Sequence, residues 1–190
     1  MGTLFSTVYN RFLEKITDDM YLELTPEDTI RDLQNLIIDA IPGFEFPRSN
    51  LYDYTIVIKE VFEDEITAED FVIGVVWEEI PEEVSTPKVL VDKSAFAVDL
   101  SPEEINILAL LMKQGWVQRQ VTSIEHTRMK YIGADFKMTS QANHLAKLMT
   151  LLTECRRDSF HYQRLYKRRK LTSTGYKSNW ASLGDNSALD

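Results

Sequence analysis

The sequence predicts an α+β fold: a mainly helical body, a helix bundle, that carries a small antiparallel β insertion and ends in an extended C-terminal tail. Three observations carry this expectation. Apolar residues recur at three- and four-residue spacing through 1–48 and again through 100–170, the period of helices with one buried face. Between them, 53–99 changes to β-branched and aromatic runs of strand length, separated by acidic and proline-bearing connections. The last stretch, 173–190, is polar, with isolated Tyr176, Trp180 and Leu183. With 190 residues and 44% apolar content the chain can bury a sizeable core. The expected organisation is one domain over 1–172, with its helical body in 1–48 and 100–170 and its β-rich acidic insertion in 53–99, followed by an extended arm over 173–190.

In the first segment, LFSTVYNRFLEKI, the residues Phe5, Val8, Phe12 and Ile16 line one face, with Tyr9 and Leu13 beside them. Phe5 also falls in MGTLFS, a loose match to a myristoylation pattern that we read instead as the start of this helix. In the next helix Thr25 is the expected cap, Pro26 suits the first helical position, and Glu27 and Asp28 favour the positive end of the helix dipole. Ile30, Leu33, Leu36, Ile37 and Ile41 form its stripe, which Pro42 and Gly43 terminate. Strands are expected in YTIVIKEVF, DFVIGVVW, KVLVDK and AFAVDL. Helix returns at Ser101, where Ser101, Pro102 and Glu104 make a capping box, and Ile105, Leu108, Leu111, Met112, Trp116, Val117, Val121 and Ile124 continue the stripe. Gly115 interrupts it and implies a bend or a close packing contact. After a break at Ile132 to Asp135, Thr139 or Ser140 caps a last helix from Gln141, with Leu145, Leu148, Leu152 and Cys155 buried and Met149 widening the stripe.

The net charge of −9 is unevenly divided: residues 1–100 hold 22 acidic and 7 basic side chains, a net of −15, whereas 101–190 hold 8 and 14, a net of +6. A subunit of this kind attracts copies or neighbours head to tail, because opposite patches speed encounter and disfavour wrong orientations. The basic run RRDSFHYQRLYKRRK, with its interleaved aromatics, suits either phosphate and base contacts or the acidic half of an adjacent subunit; the acidity of the whole chain favours the protein partner. The candidate interface is accordingly Arg164, Lys167, Arg168, Arg169 and Lys170 with Tyr176, Trp180 and Leu183 of the arm.

Reaction chemistry finds little support. The histidines, His126, His144 and His161, lie apart, with no metal-ligand spacing between them, and Cys155 falls in step with a leucine stripe. No Walker loop, dinucleotide fingerprint or nucleophile elbow occurs. No cofactor, metal or catalytic residue is expected, and no apolar run reaches the length of a membrane span.

Two segments, LTPEDTIRDLQNLIIDAIPGFEFPR and LSPEEINILALLMKQGWVQRQVTSIEHTRMKYIGADFKMTSQANHLAKLMTLL, resemble the small virion structural proteins of tailed bacteriophages, in the neck or head–tail connector (head completion) class. The resemblance covers Thr25 to Arg48 and Leu100 to Leu152, under half of the chain. It implies a non-enzymatic subunit of a homo-oligomeric ring, commonly a dodecamer, that joins the portal protein to adjacent neck or tail proteins. Double-stranded DNA would pass through the ring without sequence-specific binding, and the protein would reside in the virion after assembly in the bacterial cytoplasm. The segment Asp53 to Asp99 makes the chain larger than the simplest helical connectors, so a tail-completion or baseplate station is the alternative, and a phage nucleic-acid-binding regulator a further one.

Overall fold

A computed structural model describes residues 2–16, 21, 24–62, 65–66, 71–76, 88–130, 139–172 and 175–178. Four helices make the body: α1 (Phe5–Leu13), α2 (Pro26–Ala40), α3 (Pro102–Lys130) and α4 (Thr139–Arg168), with a 3-10 turn at Ile41–Gly43 closing α2. Five short strands lie between α2 and α3: β1 (Tyr54–Thr55), β2 (Ile58–Phe62), β3 (Phe71–Val76), β4 (Lys88–Asp92) and β5 (Ala95–Phe96). The chain is thus α+β and mainly helical, with its β part antiparallel throughout. Among the described residues no helix is long and apolar enough to cross a membrane.

Local chemistry sets the helix starts. The Thr25 hydroxyl accepts the Asp28 amide at 3.2 Å, with Pro26 in the first turn and two acids behind it. At α3 the capping box closes: Ser101 N donates to Glu104 Oε2 at 2.7 Å, and the Glu104 amide returns to Ser101 Oγ at 3.4 Å. α1 has no side-chain cap; its entry is fixed by β pairing instead. Phe5 N donates to Ser94 O at 2.8 Å, Phe96 N to Thr3 O at 2.9 Å, and Leu4 bridges Ala95. A Cβ on Gly2 would overlap the Phe96 carbonyl, so this close approach of two backbones gives Gly2 a structural reason of its own.

The main core joins α1, α2 and the first half of α3. Phe5, Val8, Tyr9 and Phe12 meet Leu33, Leu36 and Ile37 and the α3 residues Ile107, Leu108, Ala109 and Met112. α3 is buried on more than one side because α1 and α2 cover one flank and α4 another, so Ile107 and Ala109 join the stripe expected from periodicity. A second, smaller cluster of Val117, Val121, Leu145, Leu152 and Cys155 lies between α3 and α4, and Trp116 packs against both. Cross-helix bonds run in opposite directions along the two helices: Arg156 to Gln118, Ser159 to Gln114 and Tyr166 to Glu104. α3 and α4 therefore form an antiparallel hairpin. Met149 does not widen the α4 stripe; one residue beyond Leu148 rotates it about 100° around the helix, where it is 50% exposed.

The β insertion is rooted in this body. β1 pairs with β5, whose Phe96 is buried against Phe5 with ring centroids 4.6 Å apart, and the three-stranded sheet has the order β2-β4-β3. Asp92 ends β4 at 2% exposure. Its carboxylate accepts bonds from Tyr9 Oη (3.1 Å), Gln34 Nε2 (3.3 Å) and Ser94 N (2.8 Å), while Ser94 Oγ accepts from Gln34 Nε2 (3.2 Å) and Val57 N (3.0 Å). Both crossings of the chain into and out of the sheet are thereby tied to α1 and α2.

Of the extended arm expected over 173–190, the described residues are 175–178. Gly175–Ser178 (β7) pairs antiparallel with Arg169–Thr172 (β6), Arg169 opposite Ser178 and Thr172 opposite Gly175, so this part of the arm is the second strand of a hairpin. The cationic end of the helix passes directly into a strand whose partner lies only a few residues on, a pairing that the polar composition of the segment concealed. α4 starts at Thr139, two residues before the expected Gln141, so the two expected caps lie inside the helix; the break expected at Ile132 to Asp135 lies outside the described residues.

Two measurements probe this framework. Burial beside Asp92 raises the Tyr9 phenol far above its ordinary 10.0. The neutral phenol is then favoured in the folded state only, so its contribution to stability is complete below pH 10 and is lost as pH rises above it, when the unfolded chain ionises. Tyr9→Phe should flatten the fall in unfolding free energy between about pH 10 and 12, measured by urea denaturation at a series of pH values. Gly115 is continuous with α3, and a Cβ there would meet Leu36 Cδ2 at an ordinary 3.6 Å. Gly115→Ala should accordingly raise stability by roughly 1 kcal/mol in the same assay.

Candidate functional site

The surface that gathers three of the eight predicted interface residues lies where the segment after α2 meets the end of α4. Phe44, Glu45, Phe46 and Arg48 follow the 3-10 turn and cross the last turns of α4. The Gln163 side chain fixes the crossing from the helix side, donating to Gly43 O at 3.2 Å and accepting Glu45 N at 2.8 Å. Arg48 fixes it from the other side. Its guanidinium donates to Tyr166 O at 3.1 Å and to Arg169 O, and lies 4.3 Å from the Tyr166 ring centroid. Tyr166 O belongs to the last helical turn, whose carbonyls lack intrahelical partners, and Arg169 O follows directly after it, so a cation here meets both a free lone pair and the negative end of the helix dipole.

Beneath this clamp, Tyr166 is buried and donates to Glu104 Oε1 at 2.5 Å, so the carboxylate that closes the α3 capping box also holds the end of α4. Burial and the bond to Glu104 raise the Tyr166 phenol well above its ordinary range. On the outside, a groove of about 480 Å³ is lined by Phe46 and Phe160 with Arg164, Lys167 and Arg168. Lys167 Nζ sits 3.8 Å above the Phe46 ring, a cation–π contact that orders the ammonium on the groove wall. Phe160 is 54% exposed and Phe46 38%, which is unusual for rings of this size beside three cations.

The predicted interface residues therefore separate. Arg164, Lys167 and Arg168 share the groove and are exposed. Arg169 faces its own chain and pairs with Glu103. Lys170 and Tyr176 occupy β6 and β7, at registers opposite Lys177 and Leu171, and Trp180 and Leu183 lie outside the described residues. Phe46, Arg48, Phe160 and Tyr166 complete the surface and were not singled out from sequence, although Phe160 and Tyr166 stand inside the basic run and Phe46 inside the segment GFEFPR.

The groups with reaction chemistry are not brought together. His126 is exposed on α3, and His144 and His161 are exposed on α4 about five turns apart. Cys155 is buried in the α3–α4 cluster, and burial pushes its thiol up, away from the thiolate a nucleophile needs. A larger concavity, about 960 Å³ beside α1, is lined partly by Asn10, Arg11, Glu14 and Asp99; Arg11 and Glu14 pair with each other at 2.9 Å. Among the described residues no group of three or more His, Cys, Asp or Glu side chains is placed to hold a metal ion. Comparisons of the chain with protein-family profiles, curated proteins and solved structures find no match.

The Tyr166 bond joins cap and clamp, and its removal leaves a buried carboxylate oxygen short of a donor. Tyr166→Phe should cost about 1–3 kcal/mol of unfolding free energy. Hydrogen exchange should show the loss both at the Ser101 and Glu104 amides and in the last turn of α4.

Proposed function

We propose that the protein is a non-enzymatic virion structural subunit of the tailed-phage neck, part of a head–tail connector ring that joins portal to tail around the DNA passage. The resemblance of Thr25–Arg48 and Leu100–Leu152 to that class motivates the reading. The observation that carries it physically is the presence in one chain of two unlike parts: an acidic segment rooted on α1 and α2, and a cationic, aromatic groove at the end of α4. Such a body has two different surfaces with which to meet neighbours, as a ring of identical subunits requires. An acidic surface along the passage would repel DNA phosphates and prevent sticking. The partners on this reading are further copies of the chain, the portal protein and adjacent neck or tail proteins.

Reconstruction of intact particles tests the assignment: density for this chain should lie beneath the portal, whereas density in the baseplate or at the tail end would move it to those structures. Deleting Ser173 to Asp190 should strip the chain from assembled particles while leaving its thermal unfolding midpoint essentially unchanged. The exposed Phe160, Tyr162 and Arg164 also suit single-stranded nucleic acid. Tight, strongly salt-dependent binding to free DNA that disappears when Arg168 and Arg169 are neutralised would replace the connector reading with a regulator.

A further inference from the structure

The groove at the end of α4 has a chemical counterpart elsewhere in the same chain. β2 is an edge strand of the sheet β2-β4-β3, and among the described residues no strand pairs with its outer edge. Residues two apart on a strand share a face. On β2, Ile58, Glu60 and Phe62 share one face, and Ile58 and Phe62, with Ile56 just ahead of the strand, are exposed by 42%, 38% and 50%. An exposed apolar strip on an unpaired edge is a site of association unless something blunts it. The segment that carries it, 53–99, holds 13 acidic and 3 basic residues, so the strip belongs to a strongly acidic stretch of the chain.

The groove inverts that description: Phe46 and Phe160 within a rim of Arg164, Lys167 and Arg168, with Glu45 as the acid among its lining residues. No described residue of the insertion lines it. We infer that the β2 strip of one copy docks in the α4 groove of the next, apolar on apolar, with the acidic segment that carries the strip drawn to the basic rim. The inference deepens the connector reading and rests on it for its setting in the virion. The occupant is a second copy of this chain because both halves of the match, in charge and in exposed apolar surface, are present in one sequence. The contact is head to tail, since each copy uses its strip toward one neighbour and its groove toward the other, and repetition closes a ring if the rotation permits. The charges steer and orient the encounter, while the exposed rings and isoleucines lose water on contact.

Complementation between two defective full-length variants tests this. Arg164→Glu with Arg168→Glu spoils the groove, and Ile58→Asp with Phe62→Asp spoils the strip; circular dichroism establishes that each variant retains the wild-type helix content. In sedimentation velocity the wild-type chain should self-associate with concentration, and each double variant should weaken association about tenfold or more. A one-to-one mixture of the two variants should form a heterodimer and stop there, because one copy contributes the intact groove and the other the intact strip. A wild-type chain that stays monomeric up to its solubility limit overturns the contact, as does a mixture that remains monomeric. Duplex DNA capture that is lost with Arg164→Glu and Arg168→Glu while self-association persists also overturns it and assigns the groove to nucleic acid. The connector reading fails separately: self-association through strip and groove in a chain absent from the particle neck would leave this contact standing without it.

Discussion

The structure depends on one buried acid. Asp92 lies where the β insertion returns to the helical body, and a carboxylate removed from water there is destabilising by several kcal/mol unless its oxygens are occupied. α1 supplies Tyr9, α2 supplies Gln34 and the chain itself supplies the Ser94 amide. Because those donors come from elements far apart in sequence, the acid is satisfied only when α1, α2 and the sheet are all in place. A purely apolar junction would tolerate sliding of the sheet on the helices; hydrogen bonds with fixed lengths and angles tolerate much less. Ser94 extends the constraint by accepting Val57 N, so the same node fixes both where the insertion leaves and where it comes back.

A second node of similar construction joins the start of α3 to the end of α4. Glu104 serves the cap of α3 with one oxygen and the hydroxyl of Tyr166 with the other, and Arg48 covers the Tyr166 ring while bonding to the carbonyls beyond it. The two ends of the α3–α4 hairpin are consequently unequal. Near Glu104 the helices are held by the main core, the Tyr166 bond and the Arg48 clamp; past Trp116 they are held by five buried side chains between two helices. Local opening free energy scales with such contacts, so the hairpin is firmest where it carries the basic groove and softest at its far end. A docking surface gains from that arrangement, because ordering it on contact requires little further loss of conformational freedom.

Much of the fold was legible in the sequence. Helix stripes and caps are encoded locally: Thr25 with Asp28, Ser101 with Glu104, and apolar spacing of three and four each lie within a turn or two of one another. The strand segments were legible for the same reason. What could not be read was the set of contacts between distant segments. Nothing near Asp92 in sequence marks it as buried, since its partners Tyr9 and Gln34 are 83 and 58 residues away. The candidate surface shows the same divide. The cations of α4 were visible as a run, but which of them remain exposed depends on Glu103, which takes Arg169, and on Phe46, which Lys167 covers. Met149 shows the limit of pattern alone, because a hydrophobic residue one step off the stripe adds to a periodic count while facing water.

The division of charge acquires meaning once it is placed on these two nodes. A chain could carry the same totals with acids and bases interspersed, and its surface would then steer nothing. Here the acidic segment 53–99 is rooted through the Asp92 node and the basic groove rests on the Glu104 and Arg48 node, so both are tied to one body. Under the head-to-tail contact we infer, their attraction would act between copies, and a pair of unlike surfaces would join copies in sequence until a ring closed. In that setting the acid that anchors the insertion would also bear on assembly, by holding the sheet that carries the strip in one place.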